Sequence, residues 1–107
     1  MLLFARLRHA DPGVRRIAAM DLARLAPDDP HRAQAADAIA TRLGAEADES
    51  VRCRLVRTLG ILGNLDHLRV LARIRDDAGS SPQLAHDALL AFDLIEHRSL
   101  SGDVGQR

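Results

Sequence analysis

The single cysteine, Cys53, is the residue of this sequence best suited to covalent chemistry. Arg52, Arg54 and Arg57 lie around it, and positive charge beside a thiol stabilises the reactive thiolate. His86 falls at the matching position of a later helix, so a thiol site with a nearby imidazole is one interpretation. The other interpretation is inert packing, which is usual for a lone buried cysteine. Two such side chains do not complete a metal site, and we expect no metal.

The other titratable side chains form no catalytic pattern. None of the five histidines belongs to the His-Glu-x-x-His pair of a metalloprotease. The acidic pairs at 28–29 and 76–77 lie at helix boundaries, where carboxylates cap helices and form turns. General acid and base catalysis would need a pocket that separates their pKa values. The sequence therefore predicts a protein that is not an enzyme and has no cofactor.

The balance of charge limits the classes of partner. Fifteen basic residues, all arginine, match 15 acidic ones, so the general attraction that drives non-specific nucleic-acid binding is missing. Phe4 and Phe92 are the only aromatic residues, which leaves no platform for base stacking. No apolar run is long enough to span a membrane, and the N-terminus lacks a secretory pattern. We expect a cytoplasmic protein that binds neither nucleic acid nor membranes.

One helical pattern occurs in three copies along the chain. Its apolar residues follow at offsets 0, 4, 8 and 11, which lie within about 80° of one another on a helix turning about 100° per residue. The aligned core positions are Val14, Val51 and Leu84; Ala18, Leu55 and Ala88; Leu22, Leu59 and Phe92; and Leu25, Leu62 and Ile95. The chain is therefore predicted to stack three similar units.

Capping and breaking residues place two helices in each unit. Asp or Ser opens a helix, Pro can follow at its first position, and Pro or Gly ends it. The predicted helices are 2–9, 12–26, 31–43, 49–63, 64–76 and 82–98. The fold class is all-α, with three antiparallel helix pairs in one domain, residues 1–98. The units are 1–26, 30–63 and 64–98, and residues 99–107 are predicted to form a flexible tail.

Two segments carry a resemblance to a known family. DPGVRRIAAMDLARL and DESVRCRLVRTLGILG resemble the second helix of HEAT-like repeats, in which Asp, then Val-Arg, then spaced Ala and Leu recur. The short units and the segment AHDALLAF are most similar to the HEAT-like repeats first described in phycobilisome lyases and found in many bacterial proteins. The resemblance implies a right-handed α-solenoid whose second helices line a concave face, a scaffold or adaptor that binds other molecules.

The resemblance also implies polar contacts between neighbouring units. The residues at the family's Asp and Arg positions are Asp11, Arg15, Asp48 and Arg52. The third unit has Ser81 and Ala85 at these positions, which suits a terminal unit with no further neighbour.

Residues that point away from the core form the predicted concave surface. It mixes arginines with aliphatic side chains, as protein-binding patches do. The candidate partner-binding residues are Arg16, Met20, Cys53, Arg57, His86 and Leu90. Met20 and Leu90 could instead pack against adjacent second helices if the units curve tightly.

The N-terminal helix lacks the polar surface of a capping repeat. Leu2, Leu3, Phe4 and Leu7 make it almost as apolar as an interior helix, and an open end of a repeat array tends to associate. We expect a homodimer or a docked partner at this end. A short helix folded over the core would explain the same residues without an interface.

Three functions are compatible with these patterns. The first is a non-enzymatic module that binds an unidentified protein on the concave surface or at the N-terminal end. The alternative is an accessory subunit of a cofactor or chromophore lyase-type system, in which Cys53 and His86 would hold a tetrapyrrole. DNA binding, as in HEAT-like alkylpurine glycosylases, has the least support because the net charge is zero.

Overall fold

The computed structural model describes the backbone of residues 2–105 and the side chains of residues 4–100. In this part of the chain the regular structure is entirely helical, without strands. The α-helices are α1 (Leu2–Ala5), α2 (Pro12–Leu22), α3 (Arg32–Leu43), α4 (Glu49–Leu62), α5 (Leu68–Asp76) and α6 (Pro82–Gly105). Two 3₁₀ helices, Arg6–Arg8 and Leu65–His67, follow α1 and precede α5. The predicted all-α fold class is confirmed.

Helices α2 and α4 begin where the capping residues predict, whereas α5 begins at Leu68, after the 3₁₀ helix, and not at residue 64. The Asp11 carboxylate accepts the backbone N–H of Gly13 at 2.8 Å before α2. Pro12 follows at the first helical position, where its missing N–H costs nothing. The Asp48 carboxylate accepts the backbone N–H of Val51 at 3.1 Å before α4. These bonds satisfy N–H groups that have no partner inside the helix.

Two helix ends differ from the predictions. Helix α2 ends at Leu22 and not at Ala26, and the chain leaves it through bonds between residues three apart, Arg24 to Asp21 and Leu25 to Leu22. Helix α6 continues past the predicted end at Arg98 to Gly105. No proline occurs there to stop it. The flexibility of residues 99–107 stays a prediction, and residues 106–107 lie outside the described part.

The aligned apolar positions form the core. All of them are buried or half-buried, and Leu59, at the centre of α4, is 0% exposed. Val14, Leu25 and Phe92 are half-buried because they lie in the end units, which lack a neighbour on one side. Phe92 is further covered by the guanidinium of Arg75, 4.9 Å above its ring.

Helix α4 lies at the centre of the stack and packs against α2, α3 and α6. The second helices of the units, α2, α4 and α6, form one layer, and α3 and α5 pack on its other side. The overall extents of 47 × 34 × 16 Å fit two layers of helices. Each helix thereby covers the apolar stripe of its neighbours, as stacking repeats require.

Helices α4 and α6 touch backbone to backbone where Gly60 faces Ala91. A Cβ on Gly60 would lie 2.9 Å from both the Cα and the Cβ of Ala91. Real Cβ atoms do not come so close to a backbone carbon, so this helix spacing requires glycine.

The N-terminal segment folds onto the stack. Leu7 is 3% exposed and belongs to the core, and Phe4 packs half-buried against it. The prediction that Leu7 takes part in self-association is corrected, because the 3₁₀ helix that carries it packs against α2 and α3. The side chains of Leu2 and Leu3 lie outside the described residues.

Candidate functional site

A groove runs between α4 and α6 on the layer formed by the second helices. Its volume is about 430 Å³. Arg57 and Ile61 of α4 form one wall, and the close contact of Gly60 with Ala91 lies at its floor. The residues contributed by α6 are Gln83, His86, Asp87, Leu90, Ala91 and Leu94.

Three large aliphatic side chains of the groove face solvent. Ile61 is 43% exposed, Leu90 is 48% exposed and Leu94 is 53% exposed. Single exposed aliphatic residues are common on protein surfaces, but several that share one concave site mark a place where another molecule binds.

A polar network crosses the groove beside these aliphatic residues. Arg57 Nε donates to Asp87 Oδ2 at 3.3 Å, and Gln83 Nε2 donates to Asp87 Oδ1 at 2.9 Å. The side chain of Asp87 is 4% exposed, whereas that of Arg57 is 48% exposed. The carboxylate is thus neutralised below the surface. The terminal nitrogens of Arg57 form no hydrogen bond within the described part of the chain.

Two further arginines bind the carbonyl end of α4. Arg98 donates through Nη1 to the carbonyl of Gly60 at 3.1 Å and through Nη2 to that of Gly63 at 2.7 Å. Arg32 Nη2 donates to the carbonyl of Ile61 at 2.8 Å, and its Nη1 donates to the carbonyl of Leu25, in the turn after α2, at 2.9 Å. These carbonyls have no partner inside a helix, and the negative end of the helix dipole attracts cations.

The two guanidinium groups lie close enough to influence each other. Burial, and then the positive charge of Arg32, lower the pKa of Arg98. Arg98 follows Leu94 by one helical turn, so both lie on the same face of α6. The arginine pair therefore stands at the end of the groove that Ile61 and Leu94 form.

The structure brings together three of the predicted partner-binding residues, Arg57, His86 and Leu90, all in the groove. Arg16 is exposed on α2 outside the groove. Met20 is half-buried on the same helix, which agrees with the alternative that it packs between second helices.

The prediction overlooked five residues of the groove: the exposed aliphatic Ile61 and Leu94, and also Gln83, Asp87 and Ala91. For Ile61 and Leu94 the signal was present in the sequence, since both stand ten positions after the first core residue of their unit. At about 100° per residue, this column lies about 80° from the core position at offset 0, so its side chains stand between the core stripe and the outward face of the helix.

The environment of Cys53 opposes the predicted activation of its thiol. Burial, and then the charges of Glu49 and Asp87, raise its pKa to about 11, and Arg57 offsets only part of this. Of the two interpretations of Cys53, this environment agrees with inert packing, because burial and the two carboxylates outweigh the effect of Arg57. Residues adjacent in sequence point in different directions from a helix, whereas the carboxylates face the sulfur. Cys53 is half-buried, lies outside the groove and has the environment of an unreactive thiol.

A buried ion pair joins the first unit to the second. Arg15 Nε and Nη2 donate to the two carboxylate oxygens of Glu46 at 2.7 and 2.8 Å. Glu46 also accepts from Arg42 Nε at 3.2 Å and from the backbone N–H of Asp48 at 3.0 Å. Burial alone would raise the pKa of Glu46, but these hydrogen bonds lower it overall. Arg15 was among the predicted linking residues, and Glu46 was not.

The other predicted linking residues behave differently. Asp11 and Asp48 cap their own helices instead of bonding a neighbouring unit. The Nε atom of Arg52 is buried and has no hydrogen-bond partner within the described part of the chain. The reason lies in the alignment: Arg52 corresponds to Arg15, but Gly79 stands where the second unit has Glu46.

A smaller cavity of about 260 Å³ lies between the N-terminal segment and α3. It is lined by Phe4, Leu7, Arg8, Ala38, Thr41, Arg42 and Ala45. Phe4 is the predicted self-association residue that remains partly accessible there.

The described residues hold no group of three or more His, Cys, Asp or Glu side chains placed for a metal ion. Over the same part of the chain, no helix has the length and apolar character needed to cross a membrane.

The fold and the groove define a class of protein, a short α-solenoid of stacked helix pairs with an apolar groove on the layer of second helices. The sequence profile of the family described as HEAT repeats matches residues 1–91. The chain belongs to the HEAT repeat family. The match concerns HEAT repeats in general and does not confirm the phycobilisome-lyase type. No curated protein and no solved structure matches the chain.

Proposed function

We propose that this chain is a protein-binding module without catalytic activity, and that the groove between α4 and α6 takes a segment of a partner protein. The observation that carries the proposal is the presence of Ile61, Leu90 and Leu94, each about half exposed, beside Arg57 in one groove. HEAT repeats commonly mediate contacts between proteins.

The composition of the groove suits such a role. Fully burying an aliphatic side chain contributes about 1.5–3 kcal/mol, so a partner that covers the exposed half of each of the three gains about 1 kcal/mol from each. Arg57 can donate to the same partner from its terminal nitrogens, which adds direction to an otherwise non-directional contact. The walls are helices fixed by the core, so little ordering is lost on binding.

Selection of random peptides displayed on phage, with the full chain as bait, tests this proposal. The affinity of the enriched peptides is then measured by fluorescence anisotropy. Leu90→Glu and Leu94→Glu should each abolish binding, because a carboxylate would be buried among aliphatic side chains.

Ile17→Glu is the matched control. Ile17 lies on α2 outside the groove and is as exposed as Leu94, 53% in each case, so this variant should bind like the wild type. Peptides that bind all four proteins equally would contradict the groove as the interface.

The accessory-subunit alternative requires a reactive Cys53, and the raised pKa of this thiol gives it no support. The proposed groove does not use Cys53, so Cys53→Ser should leave peptide binding unchanged. Loss of binding in this variant would favour the alternative.

Self-association at the N-terminal end is a second proposal, favoured by the apolar cavity beside Phe4. Light scattering coupled to size-exclusion chromatography over a concentration series tests it. Phe4→Glu should convert a dimer into a folded monomer. A wild type that stays monomeric at every concentration would exclude this dimer.

A further inference from the structure

The electrostatic character of the groove changes along its length. Near its middle, the charge of Arg57 is balanced by the buried Asp87. At the end formed by Ile61 and Leu94, the charges are those of Arg32 and Arg98, whose hydrogen bonds all go to neutral carbonyls. The groove is therefore neutral at its centre and basic at this end.

Within the residues whose side chains the structure describes, the chain does not neutralise this basic end. The carbonyl end of a helix carries about half a negative charge, so the end of α4, which both arginines bind, supplies about one half against two guanidinium charges. Asp29 is a nearby carboxylate, since Arg32 contributes to the lowering of its pKa. Its oxygen, however, accepts the backbone N–H of His31 at 2.8 Å and contacts the His31 ring at 3.1 Å.

Both guanidinium groups also keep unused donors. Each has five N–H groups, and the structure uses two nitrogens of Arg98 and two of Arg32 for one carbonyl each. A carboxylate placed beside them would accept charge-assisted hydrogen bonds without displacing the carbonyls.

We infer that the partner segment is acidic: its aliphatic side chains fill the groove among Ile61, Leu90 and Leu94, and a carboxylate about one helical turn further on binds Arg32 and Arg98. This inference rests on the proposed function and adds the chemistry of the partner. The basic end would also orient the segment, because its acid would bind at the end of the groove formed by Ile61 and Leu94.

The test uses peptides selected from the random library on the wild-type chain. The enriched sequences should carry Asp or Glu next to two or three Leu, Ile or Val residues. Replacing that acid by its amide in the synthetic peptide should lower affinity about tenfold, the usual effect of a hydrogen bond to a charged group. Because the protein is unchanged in this comparison, no effect on folding can imitate the result.

Variants of the protein test whether the carboxylate of the peptide binds Arg32 and Arg98. Arg98→Gln and Arg32→Gln should each weaken binding of the acidic peptide about tenfold and have little effect on its amide analogue. Arg98→Lys should restore part of the affinity. Arg73→Gln, a change at an exposed residue of the outer helix α5, is the matched control and should bind like the wild type.

The outcomes separate this inference from the proposed function. Peptides that need Leu94 but bind equally well as acid and amide would overturn the acidic partner and leave the groove intact as the interface. Peptides that are insensitive to both Leu94 and Arg98 would overturn both. A single-stranded oligonucleotide that competes with the acidic peptide at low salt would assign the basic end to phosphates and overturn the inference.

Discussion

The two boundaries between neighbouring units differ in how far their polar groups are buried and hydrogen-bonded within the chain. The first, between α2 and α4, is polar and buried. There the side chain of Glu46 is 0% exposed and binds Arg15 and Arg42. The hydroxyl of Thr58 donates to the carbonyl of Ala19 at 3.0 Å in the same layer. Its buried polar groups are thus largely satisfied within the chain.

The second boundary, between α4 and α6, has a direct backbone contact and polar groups at its edge. Gly60 lies against Ala91, and Arg98 bonds the end of α4. In the Arg57–Asp87 pair the arginine is half exposed and the carboxylate is buried. The Nε atom of Arg52 has no partner among the described residues.

This difference shows how a repeat array can assign separate tasks to similar surfaces. The stability of stacked repeats is approximately a sum over neighbouring interfaces. Because the polar groups of the first boundary are hydrogen-bonded within the chain, this boundary holds α4 in place. The second boundary can therefore leave aliphatic side chains and arginine N–H donors exposed to solvent. The groove is at this second, unsaturated boundary.

Leu59→Ala should have the largest effect, because α4 belongs to both boundaries. Leu59 is 0% exposed, and replacing a buried leucine by alanine costs about 2–5 kcal/mol. Urea denaturation followed by circular dichroism should show one cooperative transition at a lower midpoint. Leu90→Ala is the control, since Leu90 is 48% exposed and should change the midpoint little. Equal effects of the two variants would show that Leu59 does not face the core and that the assigned register of α4 is wrong.

Glu46→Gln should weaken the first boundary alone. It leaves Arg15 and Arg42 without their carboxylate, and we expect a loss of about 2–3 kcal/mol. This is below the usual 3–5 kcal/mol for a broken buried pair, because the two arginine side chains keep 13% and 20% exposure. Thermal unfolding measures the loss. Peptide binding at the groove should survive at temperatures where the variant is folded.

The stability difference between the wild type and Glu46→Gln should also depend on pH. The folded pKa of Glu46 lies below its ordinary value of 4.5, so its stabilisation is present above that pH and is lost as the pH falls through the lowered pKa. The difference in stability between wild type and Glu46→Gln should therefore shrink as the pH drops below about 4.5. A constant difference down to the lowest pH would show that the carboxylate charge is not the stabilising feature.

Most of the fold could be read from local features of the sequence. Apolar spacing and capping residues act within one or two helical turns, which is why Asp11, Asp48 and the core positions were predictable. The end of α6 could not be predicted, because no residue between Arg98 and Gly105 either stops or requires a helix.

The site was predictable only in part. Arg57, His86 and Leu90 follow from helical geometry, since they point away from the core. The pair Arg32 and Arg98 could not be predicted from helical geometry, because Arg98 donates hydrogen bonds to residues that stand 38 and 35 positions earlier in the chain. Such contacts depend on how the helices stack. Of the carboxylates that raise the pKa of Cys53, Glu49 stands one turn earlier on α4, whereas Asp87 comes from another helix and could not be read from the local sequence.

Gly60→Ala should weaken the second boundary. Alanine favours a helix over glycine by about 0.5–1 kcal/mol, but its Cβ would meet the backbone of Ala91 at 2.9 Å. Overpacking of this kind costs about 1–3 kcal/mol, so we expect a net loss of about 1 kcal/mol.

Peptide binding checks the cause of this loss. If the helices separate to admit the methyl group, the groove changes shape and Gly60→Ala should bind the selected peptides more weakly than Glu46→Gln does. Gly44→Ala is the control, because its Cβ would have an ordinary contact at 3.4 Å. A Gly60→Ala variant more stable than the wild type would mean that the boundary does not need this close approach.

Gly79→Glu should strengthen the second boundary by giving Arg52 the carboxylate that Glu46 gives Arg15. A Cβ at Gly79 meets Asp77 Oδ1 at 3.4 Å, so the change fits without strain. We expect a gain of about 0.5–1 kcal/mol in thermal unfolding. The gain should disappear in an Arg52→Leu background, where Gly79→Glu has no partner. An equal gain in both backgrounds would exclude the Arg52 contact as its source.

The pKa of the Cys53 thiol should depend on the charges at the second boundary. Replacing Cys53 should change stability very little at neutral pH. Its pKa is raised from 9.0 to about 11, so the alkylation rate with iodoacetamide should rise with a midpoint near 11. Asp87→Asn should lower that midpoint. Because the folded pKa is the higher one, the protonated thiol stabilises the fold below pH 9, and this contribution is lost as the pH rises through 11. Cys53→Ser should lack this alkaline loss. A midpoint at 9 or below would show that the sulfur is neither buried nor faced by Glu49 and Asp87 in the folded chain.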